Sequence, residues 1–165
     1  MNFDKISIRE KQAIGTLCIL SFCKKYNITY KGIEELTNHL FELLITENLP
    51  DWNQKGLGIE IIGRGDDIPT TLKKSIPEYL FEDFYKLIDN TIEIGIVDLF
   101  GETTDLPKTF LSNCINILNE HTIELDIPDV LFYEDFEGNS WGKPWDIEKY
   151  NELMTKIRSI KPISS

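Results

Sequence analysis

"SIREKQAIGTLCILSFCKKY", residues 7–26, carries the clearest helical pattern in the chain and with it the fold class. Its apolar residues recur three and four positions apart, as they do along one face of an amphipathic helix. The residues of this stripe are Ala13, Ile14, Leu17, Cys18, Leu20 and Phe22. The chain therefore begins with a long helix that buries one face.

Three further stretches repeat this period. Residues 31–46 form a second stripe, which we expect to end at "NLPDW", residues 48–52. Residues 105–121 predict another helix with a proline in its first turn, a position where proline is tolerated. A last helix begins near Asp146, because Asp is a good N-cap residue.

The stretch after residue 74 is less clear. Ser75 followed by Glu78 matches a capping box, so we predict a helix start there. We favour one long helix to about Leu99, bent at Gly95, although residues 92–97 would also suit a strand.

Turn signals complete the outline of the fold. Four glycines predict a long ordered loop near residues 52–72, in which residues 56–63 are also compatible with a short strand. Three Asp-apolar-Pro triplets, which begin at Asp67, Asp105 and Asp126, predict helix starts. We therefore expect one all-α domain over residues 1–165, an irregular bundle of five or six helices with an acidic aromatic loop near residues 126–145.

Composition limits the classes of function. The chain is 41% hydrophobic and 27% charged, as soluble globular proteins are. No apolar run approaches the about 20 residues of a membrane span, and the start lacks a secretion signal, so we expect a cytoplasmic protein. The three cysteines, Cys18, Cys23 and Cys114, are predicted to be buried, reduced thiols.

The net charge of −11 comes entirely from the second part of the chain. Residues 1–65 carry eight basic and eight acidic residues, whereas fifteen acidic residues between Glu78 and Glu137 face only Lys86 and Lys108. Such a field repels nucleic acid and anionic lipid. It attracts a basic protein. We expect a basic protein partner, no nucleic acid and no membrane.

Residues 133–146, "YEDFEGNSWGKPWD", resemble a calcium loop in part. Counted from Asp135, three further residues fall on ligand positions. Ser140, however, stands where glycine is required, and Lys143 places a cation beside the ion. We therefore predict no metal site.

Catalytic signatures are also missing. The chain has no GxSxG elbow, no dinucleotide fingerprint and no phosphate loop. His39 and His121 lack metal-ligand spacing; we place His121 at a helix end, with a role as general base as the alternative. We predict no enzyme, no catalytic residue and no cofactor.

Aromatic residues among the acids favour a protein interface. Trp and Tyr supply buried area, and carboxylates pair with Arg and Lys. Both tryptophans could instead fold back over the bundle, and the sequence leaves these alternatives open. The predicted partner-binding residues are Asp126, Asp129, Tyr133, Glu134, Asp135, Phe136, Glu137, Trp141 and Trp145.

A short, strongly acidic, all-helical chain of this kind resembles the immunity proteins of bacterial toxin systems, including those of contact-dependent growth inhibition. The resemblance implies an antidote, or antitoxin, that binds a toxin domain and blocks its active or substrate-binding site. Because nucleases are basic where they hold nucleic acid, a nuclease such as a ribonuclease is the expected target. The alternatives are a non-catalytic adaptor or assembly subunit that binds another basic protein and, third, a hydrolase that uses Glu134, Asp135 or His121.

Overall fold

The computed structural model describes residues 2–61, 63–132 and 140–161, and over these residues the chain is helical without a strand. Three 3-10 turns, Phe3–Lys5, Glu78–Leu80 and Asp129–Phe132, supplement the α-helices. The α-helices are α1 (Ile8–Tyr26), α2 (Lys31–Glu42), α3 (Leu49–Gly56), α4 (Thr70–Ser75), α5 (Phe81–Ile96), α6 (Leu106–Glu120) and α7 (Ile147–Ile157). The all-α prediction is confirmed, with seven α-helices in the described residues where five or six were expected.

Helix α1 lies in the middle of the bundle. Every residue from Ile8 to Cys23 is buried. Helices α5 and α6 pack against each other and against α1, and α2 packs against α1 as well. The predicted amphipathic stripe is therefore too narrow a description, because a helix surrounded by others buries its whole circumference.

Two glycines allow α1 and α5 to approach closely. A Cβ atom on Gly15 would lie 2.5 Å from Cδ1 of Ile94, and one on Gly95 would lie 2.5 Å from Oε1 of Gln12. Real Cβ atoms do not come this near to other heavy atoms at normal packing density. The Gln12 amide uses this proximity to donate a hydrogen bond of 2.9 Å to the carbonyl of Thr91.

The first turn of α1 is polar and nevertheless buried. The guanidinium of Arg9 donates to the carbonyls of Leu43 and, at 2.7 Å, of Thr46, where the chain leaves α2. The ammonium of Lys11 donates to the carbonyl of Ile6 at 2.9 Å. Burial lowers the pKa of Arg9 and of Lys11, because it penalises the charged form. These cations satisfy carbonyls that would otherwise lack donors.

"NLPDW" begins a helix as well as ending one. Helix α2 stops at Glu42, and Asn48 then caps α3 by accepting the backbone N–H of Asp51 at 3.1 Å. Pro50 occupies the first turn of α3. The segment predicted only as a stop is thus an N-terminal signature, because Asn and Pro favour helix starts.

The predicted capping box at Ser75 is wrong. Ser75 is the last residue of α4, and its hydroxyl donates to the carbonyl of Thr71 at 3.2 Å. Helix α5 begins only at Phe81, after a 3-10 turn, and it ends one residue beyond Gly95. The predicted long helix is therefore shorter at both ends, and the strand alternative for residues 92–97 is wrong.

Several local predictions are confirmed. The Asp-apolar-Pro triplets at Asp67 and Asp126 precede α4 and the 3-10 turn Asp129–Phe132, and in the third triplet Asp105 precedes α6, whose first turn contains Pro107. Asp146 caps α7 by accepting the N–H of Lys149 at 2.9 Å. The loop predicted near residues 52–72 is shorter, because α3 extends to Gly56 and α4 begins at Thr70; the described residues between them, 57–61 and 63–69, contain no helix or strand.

The three cysteines are free and buried, as predicted. Burial raises the pKa of Cys23 and of Cys114 to about 12, and it also raises the pKa of Cys18. Because the thiolate is the reactive form, these thiols are poor nucleophiles in the folded protein. They fill space in the core.

Candidate partner-binding surface

The predicted partner-binding residues have different environments. Asp126 and Asp129 are exposed, Trp141 is half-buried against the core, and Trp145 is buried. The others lie outside the described residues: Tyr133, Glu134, Asp135, Phe136 and Glu137. The candidate surface therefore consists of exposed acidic residues before α5, between α5 and α6, and at and after the end of α6.

Residues 140–145 are fastened to the bundle by their backbone. The carbonyl of Ser140 accepts the N–H of Ile8 at 3.0 Å, and the N–H of Trp145 donates to the carbonyl of Leu44 at 2.6 Å. Arg9 adds a longer bond of 3.4 Å from Nε to the carbonyl of Gly142. This segment therefore closes over the first turn of α1 and the end of α2.

The ring of Trp145 belongs to the core. Only 7% of the residue is exposed, and the ammonium of Lys149 lies 4.0 Å from the ring centroid. A partner cannot reach a side chain that is covered in this way. The burial of Trp145 thus favours the alternative in which this tryptophan folds back over the bundle, and it corrects its assignment as a surface anchor.

The stretch from Glu78 to Glu137 is called the acidic region below, and both of its basic residues already form ion pairs. The ammonium of Lys86 lies 2.9 Å from Glu82, and that of Lys108 lies 2.5 Å from Asp4. Further carboxylates of this region are exposed to solvent. They are Glu78, Glu102, Asp105, Glu120, Glu124, Asp126 and Asp129. The negative potential that the sequence predicts is therefore carried by side chains at the surface.

Other carboxylates of the same region have internal roles. Glu93 pairs with Arg64 at 2.6 Å, and Asp98 is 4% exposed with bonds to Thr104. Burial raises the pKa of Asp89, although the N–H groups of residues 64 and 65 favour its charged form. Counting acids in the sequence therefore overstates the charge available to a partner.

His121 joins three helices. Its Nε2 lies 2.8 Å from Oδ2 of Asp83 on α5, and its Nδ1 lies 2.6 Å from the hydroxyl of Tyr26 at the end of α1. The ring also meets Phe22 edge-on, with the ring centroids 5.0 Å apart. His121 is the C-cap residue of α6, so its predicted place at a helix end is confirmed.

This arrangement resembles the order of groups in an acid–base relay. In the neutral tautomer with a proton on Nε2, the imidazole donates to Asp83 and accepts from Tyr26. Sequence reasoning considered His121 alone, and no spacing links it to Tyr26 or Asp83, because three separate helices bring them together. The contacts of His121 with Tyr26 and Asp83 connect the C-terminal ends of α1 and α6 to α5.

Beside His121 lies an open depression of about 440 Å³, lined by Asn119, Thr122, Ile123, Glu124 and Leu125. Thr122 adopts a left-handed backbone with φ of 54°, and the N–H of Ile123 donates back to Leu118 at 2.9 Å. This reversal ends α6 and leads the chain toward Asp126. The depression is shallow, and it lies among exposed acids.

Sequence reasoning missed two exposed aromatics, Phe100 and Tyr79, of which Tyr79 is 77% exposed and follows Glu78. Phe100, between α5 and α6, is 79% exposed, and the acids Glu102 and Asp105 follow it. A phenylalanine beside glycine in a polar turn, "LFGETTD", was the available signal, since such a turn cannot bury its ring locally. Phe100 replaces Trp145 as an accessible aromatic of the acidic region.

Within the described ranges, no three His, Cys, Asp or Glu side chains converge as a metal-binding group. Among the helices of the same ranges, none combines the length and the apolar character that crossing a membrane requires. Comparison of the chain with protein-family models, with curated proteins and with solved structures finds no match.

Proposed function

We propose that this chain is a non-catalytic binding protein for a basic protein, and that its partner is a toxin domain whose active or substrate-binding site it covers. The observation that carries the proposal is the set of exposed carboxylates that precede α5, lie between α5 and α6, and occur at and after the end of α6. Both lysines of that region already form ion pairs, and the exposed carboxylates remain in excess over these two cations.

The physical reason is electrostatic complementarity. A field of one sign accelerates encounter with a partner of the opposite sign by about 10- to 1000-fold at low ionic strength. Nucleases hold a polyanion with Lys and Arg, so an acidic protein competes for the same surface. This argument favours a nuclease, such as a ribonuclease, as the toxin, and it supports an immunity protein as the biological role.

The first test is isolation of the partner. The tagged chain is expressed in its native host, and proteins that remain bound at low salt and dissociate at high salt are identified by mass spectrometry. A basic protein that is toxic when produced alone is the expected result. A basic but harmless member of a larger assembly would support the adaptor alternative, and a partner without excess positive charge would contradict both.

The second test measures the rate of association with that partner. Glu124→Lys with Asp126→Lys changes the net charge from −11 to −7, and so does Glu34→Lys with Glu47→Lys outside the acidic region; all four residues are exposed. We expect the first pair to slow association about tenfold and the control pair about twofold or less. Equal slowing by the two pairs would mean that net charge acts without a defined surface.

Egg-white lysozyme serves as a generic basic probe. An acidic surface that is complementary to one partner binds that partner far more tightly than an unrelated cation, because shape and anchors add to charge. Equal affinity for lysozyme and for the isolated partner would refute a specific inhibitor.

A further inference from the structure

Phe100 is unusually exposed for its size and its position. The turn between α5 and α6 leaves 79% of the residue in contact with solvent, compared with 53% for Leu57 in the charge-balanced part of the chain; Tyr79 is 77% exposed but carries a hydroxyl. A phenyl ring has no polar atom with which to contact water, and aromatic rings are enriched among residues that anchor protein interfaces. Nothing in the packing of the bundle uses this ring.

The turn that carries Phe100 is closed by a buried carboxylate. Asp98 accepts the backbone N–H of Thr104 at 2.7 Å and the hydroxyl of Thr104 at 2.9 Å, and it is 4% exposed. The same hydroxyl accepts the N–H of Leu106 at 3.1 Å, at the start of α6. One side-chain pair thus fixes both ends of the turn and joins it to the next helix.

A restrained loop suits binding. Ordering a flexible loop on association reduces affinity, and a loop that is already ordered avoids this loss. Aspartate is rarely buried unless it is paired or hydrogen-bonded, so the Asp98 carboxylate is committed to holding the turn. The ring of Phe100 therefore projects from a pre-organised support.

The charges around the ring indicate the chemistry of its target. Glu102 and Asp105 are exposed, and Lys108, which interacts with Asp105, forms its ion pair with Asp4. A surface that accepts the ring must bring cations to these acids, since bringing like charges together disfavours association. An apolar pocket bordered by Lys or Arg satisfies both requirements.

We propose that residues 98–104 form the docking anchor of this chain, with the ring of Phe100 inserted into an apolar pocket of the basic protein partner and with Lys or Arg of that partner beside Glu102 and Asp105. The inference rests on the proposed function and adds to it the place of the anchor and the character of the pocket. Acidic residues at and after the end of α6 steer the encounter, and this turn slows dissociation.

The first experiment locates the contact. The photo-crosslinking residue p-benzoylphenylalanine replaces Phe100 in one variant and Leu57 in another, and each is irradiated in complex with the purified partner. We expect a crosslink from position 100 to an apolar residue with Lys or Arg nearby in the partner, and none from position 57. Crosslinks of equal yield from both positions, or none from position 100, would overturn the proposal.

The second experiment separates the contribution of the Phe100 anchor to dissociation from the contribution of the acidic residues to association. Phe100→Ala should raise the dissociation rate at least tenfold and leave the association rate within about twofold, because truncating an interface anchor acts mainly on dissociation. Leu57→Ala is the matched control and should change neither rate. Thr104→Val, which removes the hydroxyl bonds to Asp98, should raise the dissociation constant through loss of pre-organisation.

The outcomes distinguish this inference from the proposed function. If Glu124→Lys with Asp126→Lys slows association while Phe100→Ala dissociates like the wild type, the acidic surface stands and the anchor is wrong. If Phe100→Ala accelerates dissociation and the charge reversals have no effect, the anchor stands and the electrostatic function is wrong. Because Phe100 is exposed, an unchanged melting temperature of Phe100→Ala verifies that folding is intact.

Discussion

Arg9 is expected to be among the strongest contributors to the stability of this fold. Its guanidinium satisfies the carbonyls of Leu43 and Thr46, and it reaches Gly142 in the segment that closes over them. Arg9→Met keeps a long apolar stem in the same space and removes the five donors of the guanidinium. The variant therefore leaves carbonyls without donors but opens little volume.

The magnitude follows from the two shorter bonds. Hydrogen bonds from a charged group contribute about 1.5–3 kcal/mol each, so the bonds to Leu43 and Thr46 together represent about 3–6 kcal/mol. Part of this loss of hydrogen-bond energy is offset, because methionine does not require the desolvation of a cation. We expect a net loss of about 3 kcal/mol in the free energy of unfolding, a large share of the about 5–15 kcal/mol of a typical domain.

Urea unfolding followed by circular dichroism at 222 nm measures this loss. The matched control is Arg64→Met, since Arg64 forms one ion pair, with Glu93, and its side chain is 50% exposed. Exposed pairs contribute about 1 kcal/mol or less, so the control should remain close to the wild type. If Arg9→Met and Arg64→Met differ by less than about 1 kcal/mol, the role assigned to Arg9 is refuted.

Three further predictions concern the core. Gly95→Ala should destabilise the protein by about 1–3 kcal/mol through overpacking against α1, whereas Gly101→Ala, whose Cβ would meet no heavy atom within 4 Å, should have little effect; urea unfolding compares them, and equal losses would contradict the close approach. Burial lowers the pKa of His39, so the unfolded chain binds its proton more readily and the free energy of unfolding should fall as pH drops below about 6.5. His39→Gln should reduce this fall between pH 7 and pH 5, and an unchanged dependence of the free energy of unfolding on pH would contradict the role of His39. The three buried thiols should react with a disulfide reagent only as fast as the protein unfolds, so rapid reaction of native protein would be inconsistent with their burial.

Local signals in the sequence were sufficient for helix ends that are fixed by neighbouring residues. Asp146 caps α7 through the N–H of Lys149, and the triplet at Asp105 starts α6, as predicted. Such devices involve residues a few positions apart, so the sequence alone displays them. The all-α class follows from the same short-range periodicity.

Features that depend on distant residues could not be predicted in this way. The polar first turn of α1 is typical of a solvated helix start, yet Arg9 is buried because its carbonyl partners come from the end of α2 and from Gly142. His121 likewise finds Tyr26 and Asp83 on other helices. Tertiary contacts determine these environments.

The sequence predicts the negative charge of the candidate surface but not which aromatic residues are exposed on it. The excess of acids between residues 78 and 137 is visible in the sequence, and many of those carboxylates are exposed. Trp145 was assigned to the surface because aromatic residues among acids are typical of interfaces, but its backbone bond to Leu44 and its neighbours cover the ring. A single aromatic in a turn has no periodicity, so only the glycine and polar residues beside it in "LFGETTD" indicate that Phe100 is exposed.

The central position of α1 has a consequence for synthesis of the chain on the ribosome. This helix precedes the helices that cover much of it, α5 and α6, which extend to Glu120, about a hundred residues after the start of α1. At about 5–20 residues per second, its apolar surface remains uncovered for about 5–20 s. Chaperones that hold exposed apolar segments would therefore have about this time in which to bind α1, and the native packing around α1 would form only after α5 and α6 have left the exit tunnel.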